Sequence, residues 1–413
     1  MENQAKKKFR PIVLGSDENA YGTARLFSET CDVLPLLLCA KRLTSTRYSR
    51  LLQIEQIDDF EKEEVFADKL LAVLRREHEN FEKLLVLPCS DYYTALLVRN
   101  YDKFEGLIAN RFVTNEMLDT FDTKDHFYAL CDKYDLEYPK TAVCTPDKRE
   151  SIINELPFDF PIVVKPENSN ATSYLSCHFE GQKKVFFFSN KEDYLAMIAN
   201  MNKCDYDGNL IIQEFIPGGD DAMRVMNAYC SLDGKVRAMC LGQPVLEYYD
   251  PKSIGNYAAI ISRSDRELYK KIGSFLEEIG YVGFANFDIK FDSRTGRYLL
   301  FEINPRLGRS SFFCRAAKVN MMRYLIDDVV FGKTDECFYN EKTALWRNVP
   351  MGVVRKYVKN EEIKKEIKKI KSTTTLFYKK DMNLRRLLVL LRPYLAQYKN
   401  FHRYFFDKSK NSF

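Results

Sequence analysis

The sequence predicts a multi-domain protein in which a parallel α/β unit is followed by α+β units. Its 413 residues exceed the roughly 250–300 residues at which a single hydrophobic core stops growing. In the N-terminal part, short apolar runs alternate with a longer charged stretch, as in the strand–helix–strand units of a parallel sheet. From residue 209 onward, apolar runs are separated by tight turns, which is typical of antiparallel strands.

The N-terminal part contains four apolar runs and one helical stretch. We expect strands at residues 11–15, 33–38, 84–88 and 107–109, and a helix at 59–79. The turn at residues 15–22 places small and capping side chains ahead of a helix, where free amide groups could meet an anion. This turn matches neither GxGxxG nor the P-loop pattern, and a plain helix cap explains it equally well.

The rest of the chain predicts a small α+β lid followed by hairpins. For the lid we expect helices at residues 125–134 and from Lys191, and strands at 161–165 and 184–189. Beyond the lid we expect a strand at 210–215, a hairpin of 224–231 and 235–241, and a second hairpin of 284–291 and 298–303. The Asp233-Gly234 pair supplies the turn of the first hairpin.

Composition favours an ordinary globular protein. Hydrophobic residues make up 46% and charged residues 29%, which argues against a disordered or fibrous class. The 11 cysteines are scattered without a CxxC pair and only 4 histidines occur, so we expect reduced thiols rather than disulfides or a zinc site. There is no signal-peptide pattern and no run of about 18 apolar residues, so we expect a cytoplasmic protein.

The C-terminal segment differs in charge from the rest of the chain. Residues 345–413 carry 18 Lys and Arg against 5 Asp and Glu, a net charge of +13, whereas the preceding residues carry 45 against 53, a net charge of −8. Apolar, aromatic and cationic residues recur there at near-helical spacing. This suits either attachment to an anionic membrane at its inner face or a helix docked on the body with its basic side exposed. The acidic body, without a recognised RNA or DNA motif, argues against a nucleic-acid partner.

The most informative segment is residues 298–306, an apolar strand that ends in polar side chains. Alternation along a strand places Glu302, Asn304 and Arg306 on one face. Two hard oxygen ligands and one fixed cation on the same face suit Mg²⁺ and phosphate oxygens. Asp288 on the expected partner strand adds another oxygen ligand. The alternative is that these acids only cap or salt-bridge the end of the sheet.

Two lysines and one strand could complete a nucleotide site. Lys165 ends the apolar run 160–164, so its ammonium should emerge at the edge of a buried strand, although such a lysine is often merely solvated. Lys124 precedes a helical stretch and by itself would be a surface charge. The backbone after Gln213 could pair with a flat heterocycle and a following acid with sugar hydroxyls, but solvent would satisfy the same groups.

The chain resembles the ATP-grasp superfamily in the order of its polar residues, which are Lys124, Lys165, Gln213, Glu214, Phe215, Ile216, Asp221, Asp288, Glu302, Asn304 and Arg306. The 14-residue step from Asp288 to Glu302 and the seven-residue step from Glu214 to Asp221 both match that superfamily. The resemblance spans roughly residues 10–335. Within the superfamily, residues 11–25 resemble the D-aspartate ligase group of carboxylate–amine ligases.

The resemblance implies an ATP-grasp fold with an N-terminal Rossmann-like (pre-ATP-grasp) domain. The implied divisions are this domain at residues 1–115, a small lid subdomain at 116–205, a central and C-terminal subdomain at 206–340 and a basic C-terminal extension at 341–413. The polar loop 167–173 occupies the position of the phosphate-covering loop of the superfamily, although it lacks the glycines often found there.

The resemblance also implies roles for single residues. Contacts with ATP are implied for Lys124, Lys165, Ser169, Gln213, Glu214, Phe215, Ile216 and Asp221. The two lysines would hold the phosphates, residues 214–216 would contact adenine, and Asp221 would meet the ribose. Mg²⁺, with Mn²⁺ as an alternative, would be bound by Asp288, Glu302 and Asn304. Arg306, acting with Lys165, would steady the phosphoryl group or the tetrahedral intermediate.

The implied function is an ATP- and Mg²⁺-dependent ligase that activates a small-molecule carboxylate as an acylphosphate and joins it to an amine. The D-aspartate ligase likeness suggests D-aspartate or a related amino acid and a peptidoglycan precursor, which would place the enzyme in cell wall biogenesis. A non-catalytic ATP-binding sensor or interaction module is the alternative, and the intact set of Asp288, Glu302, Asn304 and Arg306 counts against it. A homodimer is compatible with the general frequency of dimers.

Overall fold

The computed structural model describes residues 6–104, 106–167, 172–183, 185–204, 206–250, 253 and 255–409. The chain forms two compact units. Unit 1 comprises Met1–Leu118, Gly219–Ile289 and Ile303–Phe413, and unit 2 comprises Asp119–Gly218 and Lys290–Glu302. The finer division into four domains stays a prediction.

Unit 1 begins with a parallel α/β layer. Its elements in chain order are β1 (Lys7–Leu14), α1 (Glu18–Thr30), β2 (Leu36–Cys39), β3 (Gln53–Gln56), α2 (Glu63–His78), β4 (Phe81–Pro88) and α3 (Asp91–Arg99). The strands form one sheet in the order β3-β2-β1-β4, and every pair in it is parallel. This order confirms the predicted Rossmann-like domain, because parallel strands of this kind require helical crossovers between them.

Two details of this sheet differ from the sequence prediction. The edge strand β3 was missed because its sequence QIEQ is polar and no residue in it is fully buried. The predicted strand at 107–109 is wrong, since Ile108 forms only an isolated parallel bridge with Leu84. The amide of Asn110 explains the interruption, because its Oδ1 accepts from the Val86 N–H at 2.8 Å and its Nδ2 donates to the Val86 carbonyl at 3.0 Å. No strand can then pair at Val86 on that side.

Unit 2 contains a small antiparallel sheet covered by helices. Its elements are the end of α4 (Asn115–Asp122), α5 (Lys124–Lys133), β5 (Thr141–Cys144), β6 (Ile162–Pro166), α6 (Thr172–Ser176), β7 (Phe186–Phe188), α7 (Lys191–Met201) and β8 (Leu210–Glu214). The strands run in the order β5-β8-β6-β7, and each neighbouring pair is antiparallel. The helices and strands predicted for the lid are confirmed, within a few residues at their ends.

A second, larger sheet contains the remaining strands. The elements are β9 (Met223–Cys230), β10 (Val236–Glu247), β11 (Tyr257–Arg263), α8 (Arg266–Glu278), β12 (Gly283–Asp292), β13 (Arg297–Asn304), α9 (Phe313–Ala316), α10 (Met321–Leu325), β14 (Phe338–Tyr339), β15 (Leu345–Arg347), α11 (Met351–Tyr357), α12 (Glu361–Ile367), β16 (Ser372–Thr373) and α13 (Leu384–Ser409). The sheet order is β13-β12-β9-β10-β11-β15-β16, and β14 pairs with β10. Gly234 has a φ of 75° in the turn between β9 and β10, as the predicted hairpin requires.

The basic C-terminal segment is held in unit 1 by a buried ion pair. The side chains of Asp381 and Arg386 are both 0% exposed, and their Oδ2 and Nε atoms lie 3.1 Å apart. Asp381 also accepts hydrogen bonds from the hydroxyls of Tyr21 and Ser49, both at 2.8 Å, and from the backbone N–H of Arg50 at 2.6 Å. The charge of this carboxylate is therefore well compensated.

Arg386 is bound on its other side by the N-terminal part of unit 1. Its Nη1 donates to the carbonyls of Ser45 and Arg47, at 3.0 and 2.9 Å. The guanidinium also lies 4.2 Å from the ring centroid of Tyr21, within the range of a cation–π contact. The start of α13 is thereby tied to both α1 and the segment that follows β2.

Replacing Arg386 with Met should lower the free energy of unfolding by about 3–5 kcal/mol, because it leaves the buried Asp381 carboxylate without its counter-ion. Urea unfolding followed by circular dichroism measures this change. The matched control is Arg385→Met, since Arg385 lies next in the helix but is exposed. Equal stability of the two variants would contradict a structural role for the pair.

Candidate active site

Three of the predicted site residues meet within unit 2. Lys124, the first residue of α5, places its Nζ 2.5 Å from the Phe301 carbonyl oxygen and 3.3 Å from Glu302 Oε2. The Lys124 side chain is 15% exposed and that of Glu302 is 44% exposed, so the ion pair reaches solvent on the carboxylate side. A lysine that the sequence alone would leave on the surface is therefore fixed beside the end of β13.

Lys165 lies in the same electrostatic neighbourhood. Along β6, Ile162, Val164 and Pro166 are buried and the residues between them are not, so Lys165 projects from the opposite face. Burial and the nearby Lys124 ammonium lower the pKa of Lys165 to about 8, and the Glu302 carboxylate opposes this shift only in part. Two cations and one carboxylate are thus gathered together, an arrangement suited to the oxygens of a polyphosphate.

The predicted adenine-contacting strand is β8 and the residues after it. The side-chain amide of Gln213 is buried, and its Nε2 donates to the hydroxyls of Tyr128 and Thr141, at 2.8 and 2.9 Å. Gln213 is also paired in register with Thr141 on β5 and Val163 on β6. The amide therefore holds α5 and the sheet together, and a contact with nucleotide stays a prediction.

Of the three residues after Gln213, Glu214 is the last residue of β8, and Phe215 and Ile216 follow the strand. Glu214 exchanges bonds with Lys140, accepting from the Lys140 N–H through Oε1 at 3.0 Å and donating its own N–H to the Lys140 carbonyl at 2.9 Å. Phe215 packs edge-on against Phe187, with ring centroids 5.0 Å apart. Ile216 is buried. This segment is rigidly anchored and largely apolar, which fits the wall of a pocket for a flat heterocycle.

Asp221, the predicted ribose contact, lies in unit 1. Its Oδ2 accepts from Asn360 Nδ2 at 3.0 Å, and its carbonyl accepts from Arg224 and Gln243, at 2.8 and 2.7 Å. Asn360 caps α12 and lies 139 residues further along the chain. No local signal in the sequence could therefore have predicted its contact with Asp221. The carboxylate is oriented by this amide while remaining near the surface.

Arg306 and Asn304 also lie in unit 1. Arg306 makes a two-pronged ion pair with Asp91, with Nε–Oδ1 at 2.7 Å and Nη2–Oδ2 at 2.6 Å. Its Nη2 is also 3.4 Å from Asn304 Oδ1. Asp91 was not among the predicted site residues, although the capping residue Ser90, two residues after the end of β4, marks where this acidic helix start lies. The guanidinium is therefore oriented in advance by a carboxylate that is 68% exposed.

The predicted metal ligands carry the right atoms for Mg²⁺. Asp288 on β12 and Glu302 and Asn304 on β13 are all partly exposed, and they offer two carboxylates and one amide oxygen. Hard oxygen donors of this kind fit a small divalent cation rather than a softer transition metal. Ser169, the predicted contact of the phosphate-covering loop, lies outside the described residues.

The chain has the ATP-grasp fold: a parallel Rossmann-like sheet is followed by a small antiparallel sheet and by a larger sheet. N5-carboxyaminoimidazole synthetase from Staphylococcus aureus, solved with ADP, shares the fold with a TM-score of 0.60 and 12% identity over 87% of each chain. The L-amino acid ligase from Bacillus licheniformis has a TM-score of 0.52 and 12% identity over 80% of this chain and 76% of its own. No family model matches the chain.

A curated relative narrows the class. The chain is 37% identical over 423 residues to D-aspartate ligase from Enterococcus faecium (strain Aus0004), a match that covers 99% of both proteins. It therefore belongs to the D-aspartate ligase family. It is a ligase that forms C–N bonds and uses ATP together with Mg²⁺. This confirms the resemblance found in the sequence, and a non-catalytic sensor is not favoured.

The apparent KM for ATP should rise as the pH increases through about 8, because only the ammonium form of Lys165 attracts phosphate and its folded-state pKa is about 8. Above that pH the rise should approach roughly tenfold per pH unit. Steady-state kinetics between pH 7 and 9.5 measures it.

The matched variant is Lys165→Arg, whose guanidinium stays charged over this range. Its KM for ATP should be nearly independent of pH. Parallel pH profiles for the two proteins would show that Lys165 does not bind phosphate.

Proposed function

We propose that this enzyme activates a carboxylate of D-aspartate as an acylphosphate and joins it to an amine of a peptidoglycan precursor. The observation that carries the proposal is the relationship to D-aspartate ligase over 99% of both chains. The cluster of Lys124, Lys165 and Glu302 supports the use of ATP by this chain, because two cations beside a carboxylate suit the oxygens of a polyphosphate.

The chemistry requires no protein nucleophile. A carboxylate oxygen of the acid attacks the γ-phosphorus of ATP, the bond to the β,γ-bridging oxygen breaks, and ADP leaves. The amine nitrogen then attacks the acyl carbon, inorganic phosphate leaves with its electron pair, and the nitrogen loses one proton to give the amide. Positioning and electrostatics supply the acceleration in such phosphoryl transfers.

The charged residues of the site each have a role that follows from their chemistry. Lys124 and Lys165 hold the phosphates with two positive charges at a partly buried location. Arg306, oriented by Asp91, offers a fixed positive charge to the transferring group or to the tetrahedral intermediate. Mg²⁺, when bound, supplies further charge neutralisation on the phosphates, and its proposed ligands are Asp288, Glu302 and Asn304.

The other predicted site residues contact the adenine base and the ribose of ATP. Residues 214–216 contact adenine, and the anchored backbone around Glu214 and Phe215 supports this role. Asp221 binds the ribose, and the Asn360 amide supports the orientation of its carboxylate. The roles of Gln213 in adenine contact and of Ser169 in phosphate contact rest on the superfamily resemblance.

The proposal is tested by phosphate release from Mg-ATP with D-aspartate and a peptidoglycan precursor peptide that carries a free amine. We expect release that requires both substrates and a product whose mass equals their sum less one water. Phosphate release with another acid, but none with D-aspartate, would overturn the choice of substrate.

Glu302→Gln should lower turnover by roughly 10²–10³-fold, the cost typical of removing one charged group that is preorganised for the transition state. Glu336→Gln is the matched control, since it makes the same change at an exposed position elsewhere in the chain. Thermal unfolding should be unchanged in both variants. Full activity of Glu302→Gln would remove this residue from the site.

We propose further that α13 attaches the enzyme to an anionic membrane at its inner face. One face of the helix is packed on the body through Arg386, Leu390 and Phe401. Along another face the exposed fractions of the large apolar side chains are high: 73% for Leu384, 62% for Leu388, 36% for Leu391, 49% for Leu395 and 46% for Tyr398. These five residues form the leucine stripe, which spans roughly 21 Å at a rise of 1.5 Å per residue.

The charges beside the leucine stripe favour anionic lipid as its occupant. Arg385, Arg392 and Lys399 recur every seven residues and are exposed. Asp407 is the single acidic residue in the sequence of α13. An apolar stripe flanked by cations is the pattern of helices that lie in the interface of a bilayer. None of the helices in the described part of the chain has the length and apolarity needed to cross a bilayer.

The double variant Leu388→Glu and Leu395→Glu should lose most of its sedimentation with phosphatidylglycerol vesicles, because it puts two carboxylates on the stripe. Wild-type binding should weaken with added salt and should be slight with phosphatidylcholine alone. The matched control is Leu34→Glu with Leu43→Glu, which changes two comparably exposed leucines elsewhere.

Each result of this experiment decides the question. Equal sedimentation of the stripe variant and the control variant would overturn membrane attachment. If wild type does not sediment but forms a homodimer that the stripe variant loses, the stripe is an interface between two copies of the chain instead.

A further inference from the structure

A buried carboxyl group lies at the start of α1. Glu18 is the first residue of that helix and only 5% exposed, and the preceding Asp17 caps the helix by accepting from the Ala20 N–H at 3.0 Å. Glu18 Oε2 accepts a short hydrogen bond from the side-chain amide of Asn348, and the neighbouring Thr375 hydroxyl acts to lower the pKa of Glu18. None of the roles proposed above involves Glu18.

The other oxygen of this carboxyl group lacks a donor. Among the described residues, Glu18 Oε1 has no hydrogen-bond partner, although it is buried. Leaving a buried acceptor unpaired is costly, and more so for a charged one. Burial raises the pKa of Glu18 to about 7, the charge of Asp17 adds to the rise, and Arg309 opposes it. A cation with N–H donors would relieve both the missing bond and the uncompensated charge.

The surroundings of Glu18 extend to the surface. Arg309 is exposed, and Asp17 and Asn348 are partly exposed. The Tyr248 hydroxyl lies 3.3 Å from Asn348 Nδ2, and Arg309 acts electrostatically on Glu18, Asp17 and Tyr248. The polar groups around Glu18 therefore reach solvent, and the exposed one among them is the Arg309 guanidinium.

We propose that Glu18 and Arg309 bind the amino-acid substrate, with the Glu18 carboxylate holding its ammonium group and the Arg309 guanidinium holding a carboxylate. The inference deepens the proposed function and rests on it for the choice of D-aspartate. An ammonium group brings three donors and no acceptor, which matches an acceptor-only carboxylate with one oxygen unpaired. An acid that only stabilised the helix start would be satisfied by the helix amides and would not leave a buried oxygen without a donor.

A charge-assisted bond of this kind is worth about 10- to 100-fold in affinity. The test compares D-aspartate with succinate, which keeps both carboxylates but has no ammonium group. In Glu18→Gln we expect the KM for D-aspartate to rise by that factor, while the inhibition constant of succinate and the KM for ATP stay within about twofold of wild type. Unchanged values for succinate and ATP would also show that the variant is folded.

A second variant tests the same site at an exposed residue, where a folding defect is not expected. Arg309→Gln changes an exposed side chain and should weaken D-aspartate and succinate alike, because both molecules carry the carboxylates that the guanidinium would bind. Arg266→Gln is the matched control, since its side chain is 78% exposed and lies outside this cluster. It should leave all three constants unchanged.

The outcomes separate this inference from the proposed function. If wild type uses D-aspartate but Glu18→Gln has the same KM for it, or loses D-aspartate and succinate equally, the ammonium site is wrong and the ligase stands. If wild type releases phosphate only with another acid, the choice of D-aspartate fails, and with it the assignment of Glu18 to the ammonium of that substrate.

Discussion

The buried ion pair of Asp381 and Arg386 is the constraint on which the placement of the C-terminal helix α13 depends. A carboxylate and a guanidinium with no exposed side-chain surface can persist only if their charges are compensated, and the hydrogen-bond partners of each come from the N-terminal layer. The pair therefore fixes the rotation of α13. Because Arg386 points inward, the leucine stripe must point outward. The sequence predicts only an amphipathic helix, and the ion pair determines which of its faces is exposed.

The same contacts reach the N-terminal helix that carries the proposed amino-acid site. Tyr21 on α1 donates to Asp381, and Arg25 on the same helix donates to the carbonyls of Thr374 and Thr375, both at 2.7 Å. Glu18 lies one turn earlier, and Thr375 acts on the pKa of its carboxyl group. The basic C-terminal segment is thus a structural part of unit 1, with two strands in its large sheet, and it helps to build the surroundings of a carboxyl group at the opposite end of the chain.

The fold was predictable wherever its signal was local. Runs of apolar residues gave the parallel strands β1, β2 and β4, and the Asp233-Gly234 pair gave the hairpin of β9 and β10. The polar edge strand β3 and the failed strand at 107–109 were not predictable. Whether such a segment joins the sheet depends on which group forms hydrogen bonds with the neighbouring backbone. The Asn110 side chain, for example, bonds to both the N–H and the carbonyl of Val86, and the spacing of residues in the sequence does not reveal this competition.

The sequence by itself determined the class of chemistry. The alternation of Glu302, Asn304 and Arg306 along a strand indicated a site for Mg²⁺ and phosphate, because residue type and strand period are local properties. The order of Lys124, Lys165 and Asp288 before them added the resemblance to the ATP-grasp superfamily, which implied a ligase. Only the tertiary structure decided the electrostatics: Lys124 against Glu302, Asp91 against Arg306, and Glu18 beside Arg309 and Asn348. A pKa depends on burial and on charges that are distant in sequence but close in space, so these pairings, and the reactivity they confer, exist only after folding.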